Sequence, residues 1–151
     1  MEANTLQQFA VGHSGGREET VVTFHEVVSP ERVLYSGEAT QVITRTLGGG
    51  EIAFLPGHAP FLAALIPNHT RVYVGDGSIL DVAVDGGFVE VSNGKVSILT
   101  DFAELGSEID KEKARADIER LEEKLRHEHD AVGAAELSKA HARLSAAGGL
   151  V

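Results

Sequence analysis

The chain has 151 residues, 42% of them hydrophobic, which is enough for one medium-sized domain with a real core and an appendage. Its formal net charge of -10 argues against nucleic acid or anionic lipid as a partner, because no basic patch is visible that would overcome the repulsion. With no cysteine, the chain can form no disulfide, no thiolate metal site and no cysteine nucleophile. We therefore expect a cytosolic setting.

Residues 1–20 are polar, contain Gly and Ser and show no hydrophobic period, so we expect a flexible N-terminal tail. This segment lacks the basic start and apolar core of a signal peptide. No window of the chain approaches the roughly 20 apolar residues that a membrane span needs. We expect no direct membrane insertion.

From Val21 to Thr100 the sequence consists of short runs rich in Val, Ile, Thr and Phe, separated by Gly, Asp, Asn and Pro. Several runs alternate at period two, as in KVSILTD, where Val96 and Ile98 share one face. GDG at 75–77 and SNG at 92–94 are tight-turn sequences that join antiparallel neighbours. The pattern predicts a β-sandwich or flattened barrel.

Near Ser107 the hydrophobic period changes to that of a helix, and a first helix capped by Ser107 or Asp110 is expected. A second helix follows HDAVG and stops at GGL. Both apolar stripes are narrow and rich in alanine, so the helical hairpin needs the sandwich or a partner to pack against. The stripe residues are Ala114, Ile118, Leu121 and Leu125 in the first helix and Leu137, Ala140 or His141, Leu144 and Ala147 in the second.

Four segments carry a resemblance to a known family: VVSPERVLYSGEA, GEIAFLPGHAPFL, VDGGFVEVSNGKVSILTDFAE and ELSKAHARL. Through them the chain, from about Phe24 to Leu144, resembles the epsilon subunit of bacterial F-type rotary ATP synthases, called delta in mitochondria. The resemblance implies an all-β sandwich of about ten antiparallel strands, followed by a C-terminal antiparallel two-helix hairpin. We place the tail at 1–20, the sandwich at 21–103 and the hairpin at 104–151.

The resemblance also implies a non-catalytic subunit of the central rotor stalk, with the gamma subunit, the c ring and the alpha/beta catalytic head as partners. The sandwich would couple c-ring rotation to ATP synthesis through gamma, and the hairpin would inhibit ATP hydrolysis. The implied location is peripheral, on the cytoplasmic side of the bacterial plasma membrane. The residues implied at the c-ring and gamma interface are Gly50, Glu51, Pro56, Gly57 and His58.

Some members of the family bind regulatory ATP in the folded hairpin, and IDKEKA at 109–114 resembles their motif. Lys113 stands where the motif has arginine, and a lysine lacks the bidentate fork that recognises phosphate. The alternative is a capped helix whose charges are merely solvated. The implied ATP-binding set is Glu104, Ile109, Asp110, Lys113, Ala114, Lys139 and Arg143.

The charged face of the first helix has two interpretations as well. It is either a solvated surface or, as the resemblance implies, a contact with the catalytic beta subunits when the hairpin extends. The cations available for that contact are Arg115, Arg120, Lys124 and Arg126.

The sequence gives less support to a metal site, a hydrolase or a phosphate-binding loop. His58 has no ligand partner in its own loop, and His127 and His129 point to different sides of a helix, so no metal site is expected. A hydrolase using His25, His58 or His69 lacks any hydrolase motif, and the Gly-rich loops lack the Lys-Ser/Thr of a P-loop. The competing class is a free-standing β-sandwich ligand-binding module with a helical dimerisation tail, which would not co-purify with gamma and the c ring.

Overall fold

The computed structural model describes residues 22–28 and 33–149, so the expected tail at 1–20 lies outside the described residues. The elements confirm a β-sandwich followed by a helical hairpin. Their bounds are β1 Val22–Val28, β2 Val33–Thr46, β3 Gly50–Phe54, β4 Phe61–Val74, β5 Ile79–Ser92, β6 Lys95–Leu99, β7 Ala103–Leu105, a 3-10 turn Gly106–Glu108, α1 Lys111–His127 and α2 Ala131–Ala146.

The strands are hydrogen-bonded in the order β1-β6-β5-β4-β2-β3, with β7 on β5. Strand β1 also pairs with β2, which closes the path into a flattened, two-layered structure. Among the strands of the described ranges, β1 and β6 pair in parallel and the other pairs are antiparallel. No hairpin joins β1 to β6, so nothing local fixes their relative direction.

Several runs that the sequence separates are fused into long strands, and β2, β4 and β5 each have 14 residues. Strand β5 continues through Gly86 and Gly87, whose φ angles are 110° and 106°. A Cβ at Gly87 would collide with the carbonyl oxygen of Leu99, so only glycine allows β6 to approach here. The described residues therefore form seven strands, because bends within strands replace some of the expected turns.

The sandwich core lies between the two layers, and the predicted face of Val96 and Ile98 is fully buried in it. Its largest side chains without solvent exposure are Phe54, Ile98, Val42, Val72, Val82, Val89 and Val96. The predicted tight turns also form, with Gly77, Asn93 and Gly94 at φ angles of 88°, 53° and 76°. Positive φ is the conformation that Gly and Asn tolerate best.

Asp110, rather than Ser107, caps α1 by accepting a hydrogen bond from the Lys113 amide at 3.1 Å. Helix α2 begins at Ala131, earlier than the expected start after HDAVG, because Asp130 caps it through the Val132 amide. The buried cluster between the helices agrees with the predicted stripes and comprises Ala114, Ile118, Leu121, Ala140 and Leu144.

The hairpin packs against the sandwich through α2, which lies on β4 and β5. Ala146 at the end of α2 and Ala147, its C-cap, meet Ala83 of β5 and Ile109 in a small apolar cluster. Strand β7 crosses the expected domain boundary at 103/104, so Glu104 belongs to a strand that pairs with β5. The two parts of the chain thus share a continuous junction.

Candidate interaction surfaces

The β2–β3 turn presents Glu51 and Gly50 at one end of the sandwich, as the first two residues of β3. Glu51 lies opposite Arg45 in the strand register, and its Oε1 accepts a hydrogen bond from Arg71 Nη2 at 3.0 Å. Leu47, at the tip of the turn, is 69% exposed. The turn therefore offers an apolar tip beside a carboxylate that Arg71 already orients.

The PGHAP segment forms a tight turn between β3 and β4, in which the His58 amide donates to Leu55 O at 3.1 Å. Gly57 takes a φ of 78°, and Pro56 precedes it. The His58 ring packs edge-on against Phe54, with 5.0 Å between ring centroids, and its Nδ1 lies 2.7 Å from Ala59 O. A donating Nδ1–H satisfies that carbonyl, so His58 stiffens the turn rather than offering a reactive group.

An exposed apolar patch on β4, β5 and β6 has no counterpart among the expected site residues. Phe88 lies opposite Leu99, and Leu62 is two residues along β4 from Ala64, the partner of Phe88. Leu62, Phe88 and Leu99 are 70%, 55% and 43% exposed. Large apolar residues in the outward phase of alternating strands are the sequence signal for such a patch.

Three members of the expected ATP-binding set meet where α2 crosses the sandwich. Arg143 donates from Nε and Nη2 to the Glu104 carboxylate at 2.9 and 3.4 Å. Lys139 Nζ lies 3.2 Å from Asp85 and 3.3 Å from Glu136. Lys139 and Arg143 are therefore already engaged with carboxylates, whereas the described residues show no ion pair of Lys113.

The Lys139–Asp85 contact combines attraction with a desolvation cost. Burial raises the pKa of Asp85 even though Lys139 acts to lower it. The hydrogen bond from Lys139, in turn, raises the pKa of that lysine. The desolvation cost of the ion pair thus falls mainly on Asp85, which is the more buried partner. The pair therefore adds little net stability to the fold.

The remaining members of the set are at the start of α1. Asp110 uses its carboxylate as the helix cap, while Ile109 and Ala114 are buried. The cavity beside Arg143 and Lys139 measures about 70 Å³. This is well below the roughly 300 Å³ at which ligand pockets begin. A nucleotide would fit this set only after the ion pairs had opened.

The four expected beta-contact cations lie on the exposed side of α1 and each has an acidic neighbour. The pairs are Arg115–Glu112 at 2.6 Å, Arg120–Asp117 at 3.4 Å, Lys124–Asp130 at 2.9 Å and Arg126–Glu123 at 2.8 Å. In the folded hairpin this surface is solvated and electrically balanced.

No cluster of three metal-ligating side chains occurs in the described part of the chain. His127 ends α1 and contacts Glu123, and His129 lies beyond the helix. His69 bridges Asp81 and Ser145, at 2.6 and 2.9 Å. His25 lies in β1. None of the helices within the described ranges is both long and apolar enough to span a membrane.

Sequence comparison identifies the class of protein first. Residues 23–106 match the family described as ATP synthase, Delta/Epsilon chain, beta-sandwich domain. This range runs from the second residue of β1 past the end of β7, so the match covers nearly all of the sandwich and more than half of the chain. The chain belongs to the ATP synthase delta/epsilon family.

Individual relatives are ATP synthase epsilon chains. The protein of Brevibacillus brevis is 46% identical over 100 residues, 66% of this chain and 75% of the relative. That of Synechococcus elongatus is 41% identical over 131 residues, 83% of this chain and 94% of the relative, so the likeness includes the hairpin. The fold matches a chain of the cryo-EM structure of Euglena gracilis mitochondrial ATP synthase with a TM-score of 0.74 at 24% identity, covering 93% of this chain and 89% of that chain.

Proposed function

We propose that this chain is the non-catalytic epsilon subunit of the central rotor stalk in a bacterial F-type ATP synthase. The observation that carries the proposal is the similarity to epsilon chains across both sandwich and hairpin, over 131 residues of the Synechococcus elongatus relative. In this role the subunit is peripheral, on the cytoplasmic side of the plasma membrane. It transmits c-ring rotation through gamma to the alpha/beta head.

The sandwich supplies two docking features for this role. The apolar patch of Leu62, Phe88 and Leu99 suits the gamma subunit, because an exposed apolar area of this kind gains free energy when a partner covers it. The Gly50–Glu51 turn and the rigid turn at 56–58 suit the c ring, since a preorganised surface loses little entropy on docking.

The hairpin is suited to a role in which it docks on the sandwich or detaches from it, depending on the partner that is present. Apart from a small alanine-rich cluster, it meets the sandwich through ion pairs and hydrogen bonds, and these groups can exchange protein partners for water. A partner that binds the detached form better needs only a few kcal/mol of differential affinity to shift the equilibrium. We infer that the extended hairpin restrains ATP hydrolysis, with the α1 cations exchanging their acidic partners within the hairpin for beta-subunit carboxylates.

In this regulatory role, the place for ATP is the junction of hairpin and sandwich, at Arg143 and Lys139. Its phosphates would have to replace Glu104 as the partner of Arg143 and Asp85 as the partner of Lys139. Such an exchange would tie ATP binding to the same junction that holds the hairpin in place.

The experiment is ATP hydrolysis by a reconstituted catalytic head with gamma, titrated with the full chain and with a form lacking residues 107–151. We expect both forms to bind and only the full chain to inhibit. Binding without inhibition by either form would remove the regulatory role and leave coupling. Failure of both forms to bind would favour a free-standing β-sandwich module, whose helical tail would then give a dimer in sedimentation.

A matched pair of variants separates docking from folding. Phe88→Asp places a charge in the apolar patch, and Val132→Asp places the same charge on α2, where Val132 is 72% exposed. We expect Phe88→Asp to weaken gamma binding by about tenfold or more and Val132→Asp to leave it unchanged. Equal effects of the two variants would show that this patch is not the docking surface.

A further inference from the structure

The ion pair between Arg71 and Glu51 crosses an intervening strand. Arg71 lies in β4 and Glu51 in β3, and β2 lies between these two strands in the sheet. In the register, Arg71 is opposite Ile43 of β2, and Glu51 is opposite Arg45. The contact of 3.0 Å between Arg71 Nη2 and Glu51 Oε1 is therefore diagonal, on the face that points away from the core. It connects β3 to the body of the sheet.

The backbone of the β2–β3 turn is held as well. The amide of Leu47 donates to Ala64 O at 2.8 Å, which attaches the turn to β4. Gly50, the first residue of β3, takes a φ of 73°, a conformation that side chains other than glycine rarely adopt. Since the backbone is held, the freedom that remains at this end of the sandwich is that of the exposed side chains. The rotamer of Glu51 is the one that the ion pair can fix.

The two side chains of the ion pair differ in exposure. The Arg71 side chain is 30% exposed and the Glu51 side chain 50%. Arg71 Nε is buried without a hydrogen-bond partner, so the guanidinium does not lie where all of its own donors would be satisfied. Among the described residues, no hydrogen bond uses the second carboxylate oxygen of Glu51. The less exposed residue therefore orients the more exposed one, and one carboxylate oxygen remains for a partner.

The alternative role for Arg71 is to hold the hairpin. Arg71 lines an open cavity of about 570 Å³ whose other wall is α2, with His141 and Ser145. Within the described ranges, however, no hydrogen bond or ion pair joins Arg71 to α2, whereas His69 does reach Ser145. The polar contact that Arg71 makes is with Glu51. Its role is therefore at the turn rather than at the hairpin.

We propose that Arg71 is a positioning residue for the contact of the β2–β3 turn with the c ring. It holds the Glu51 carboxylate in one rotamer, so that the second carboxylate oxygen meets a hydrogen-bond donor of the partner. This inference rests on the proposed function, because it explains how one side chain of that docking surface is prepared. An unrestrained Glu51 would lose side-chain entropy on docking, and the ion pair imposes this loss beforehand. Arg71 thus supports the contact without touching the partner.

Arg45 provides a matched comparison. It is exposed and lies directly opposite Glu51, yet the described residues show no ion pair of Arg45. Replacing either arginine by glutamine removes one positive charge near Glu51, but only the replacement of Arg71 also removes the hydrogen bond. The two substitutions therefore separate the orientation of the carboxylate from the local charge.

The first measurement is made on the full chain alone. Three-bond couplings of the Glu51 side chain, measured by NMR, should show one χ1 rotamer in the unaltered chain and averaged rotamers in Arg71→Gln. Arg45→Gln should retain the single rotamer. Averaged couplings in the unaltered chain, or equal averaging in the two variants, would contradict the proposal. Melting curves verify that each variant is folded.

The second measurement is the affinity of the complex of this chain with gamma for purified c rings. Arg71→Gln should weaken binding about two- to tenfold, the effect expected when one more side chain has to be ordered on docking. Arg45→Gln should leave the affinity nearly unchanged. Glu51→Ala should weaken binding at least as much as Arg71→Gln does. Adding Arg71→Gln to Glu51→Ala should then have no further effect, because Arg71 acts through Glu51.

The outcomes distinguish this inference from the proposed function. If the unaltered chain does not bind, the proposed function fails and this inference fails with it. If the unaltered chain binds and Arg71→Gln binds equally well, this inference alone is wrong. Equal weakening by Arg45→Gln and Arg71→Gln would show that charge and not orientation matters. Independent effects of Arg71→Gln and Glu51→Ala would show that Arg71 does not act through Glu51, and either result would overturn the inference.

Discussion

The sandwich and the hairpin of this chain are stabilised in different ways. The sandwich closes around large side chains such as Phe54, Val72 and Ile98, none of which has any solvent exposure. The hairpin cluster is small and partly alanine, and α2 makes the main contacts between the hairpin and the sandwich strands. Large buried apolar area stabilises the first strongly and the second weakly. We infer that the sandwich is the permanent part of the fold and the hairpin the detachable part.

The junction between the two explains how a weak element still has a defined position. Arg143–Glu104, Lys139–Asp85 and the His69 bridge specify where α2 lies, although partly exposed polar contacts add little net stability. At this junction, the contacts that fix the position of α2 are therefore not the ones that contribute most to its stability. The following substitutions test this difference, in order of decreasing effect.

The largest effect is expected in the sandwich core. Phe54→Ala should lower the free energy of unfolding by about 3–5 kcal/mol, because it removes a fully buried aromatic ring and leaves a cavity. Urea denaturation followed by circular dichroism measures this loss. Phe88→Ala is the matched control and should cost less than about 1 kcal/mol, since the Phe88 side chain is 55% exposed. A similar cost for both would contradict the assignment of the core.

Gly106→Ala should loosen the hairpin without unfolding the sandwich. A Cβ at this position would collide with the carbonyl oxygen of Ala146 in α2, so the end of the helix must move. We expect a loss of about 1–3 kcal/mol in hairpin docking, seen as faster amide hydrogen exchange in both helices. Gly75→Ala, where no atom lies within 4 Å of the added Cβ, is the control and should leave the exchange of the helices unchanged.

Arg143→Gln should have a smaller effect on the same equilibrium, of about 1–2 kcal/mol, because it removes a bidentate contact whose side chains are 25% and 18% exposed. Hydrogen exchange again reports docking, and the unfolding of the sandwich should not change. Arg126→Gln, whose side chain is 69% exposed, should change docking by less than about 0.5 kcal/mol. Helices that stay equally protected in Arg143→Gln would show that the apolar cluster alone holds the hairpin.

The smallest effect is a pH dependence at the start of α2. The hydrogen bond from Lys124 and the backbone amides of Gly133 and Val132 lower the pKa of Asp130 in the folded chain. Its stabilising contribution is therefore complete above the ordinary aspartate pKa of about 3.9 and is lost as pH falls through the lowered folded-state value. An NMR titration should show the first turn of α2 fraying in acid. Asp130→Asn, which retains a capping side chain, should remove this dependence.

The local elements were predictable because short-range rules decide them. Alternation placed Val96 and Ile98 in the core, glycine and asparagine marked the turns, and helical spacing located the hairpin stripe. The choice between neighbouring residues that could each cap a helix was harder to predict. Ser107 and Asp110 were both plausible caps, and Asp130 started α2 before the sequence pattern indicated.

The candidate site residues show more clearly what could not be predicted from the sequence. The sequence singled out Glu51, Lys139 and Arg143. Their partners in the sandwich, Arg71, Asp85 and Glu104, are 20 or more residues away along the chain. No periodicity reveals that Arg71 orients Glu51 or that Glu104 already neutralises Arg143. Those ionic contacts decide whether each charge is free to bind something else.

The sequence by itself determined the sandwich, the hairpin and the family, because periodicity, turn residues and the PGHAP segment are local. Only the tertiary structure decided that β5 bends rather than breaks at Gly86 and Gly87, and that α2 rather than α1 lies on the sandwich. It alone brought Arg71 and His141 to one cavity. The physical reason is that cavities and ion pairs arise from long-range closure of the chain, whereas strands and helices follow from the preferences of neighbouring residues.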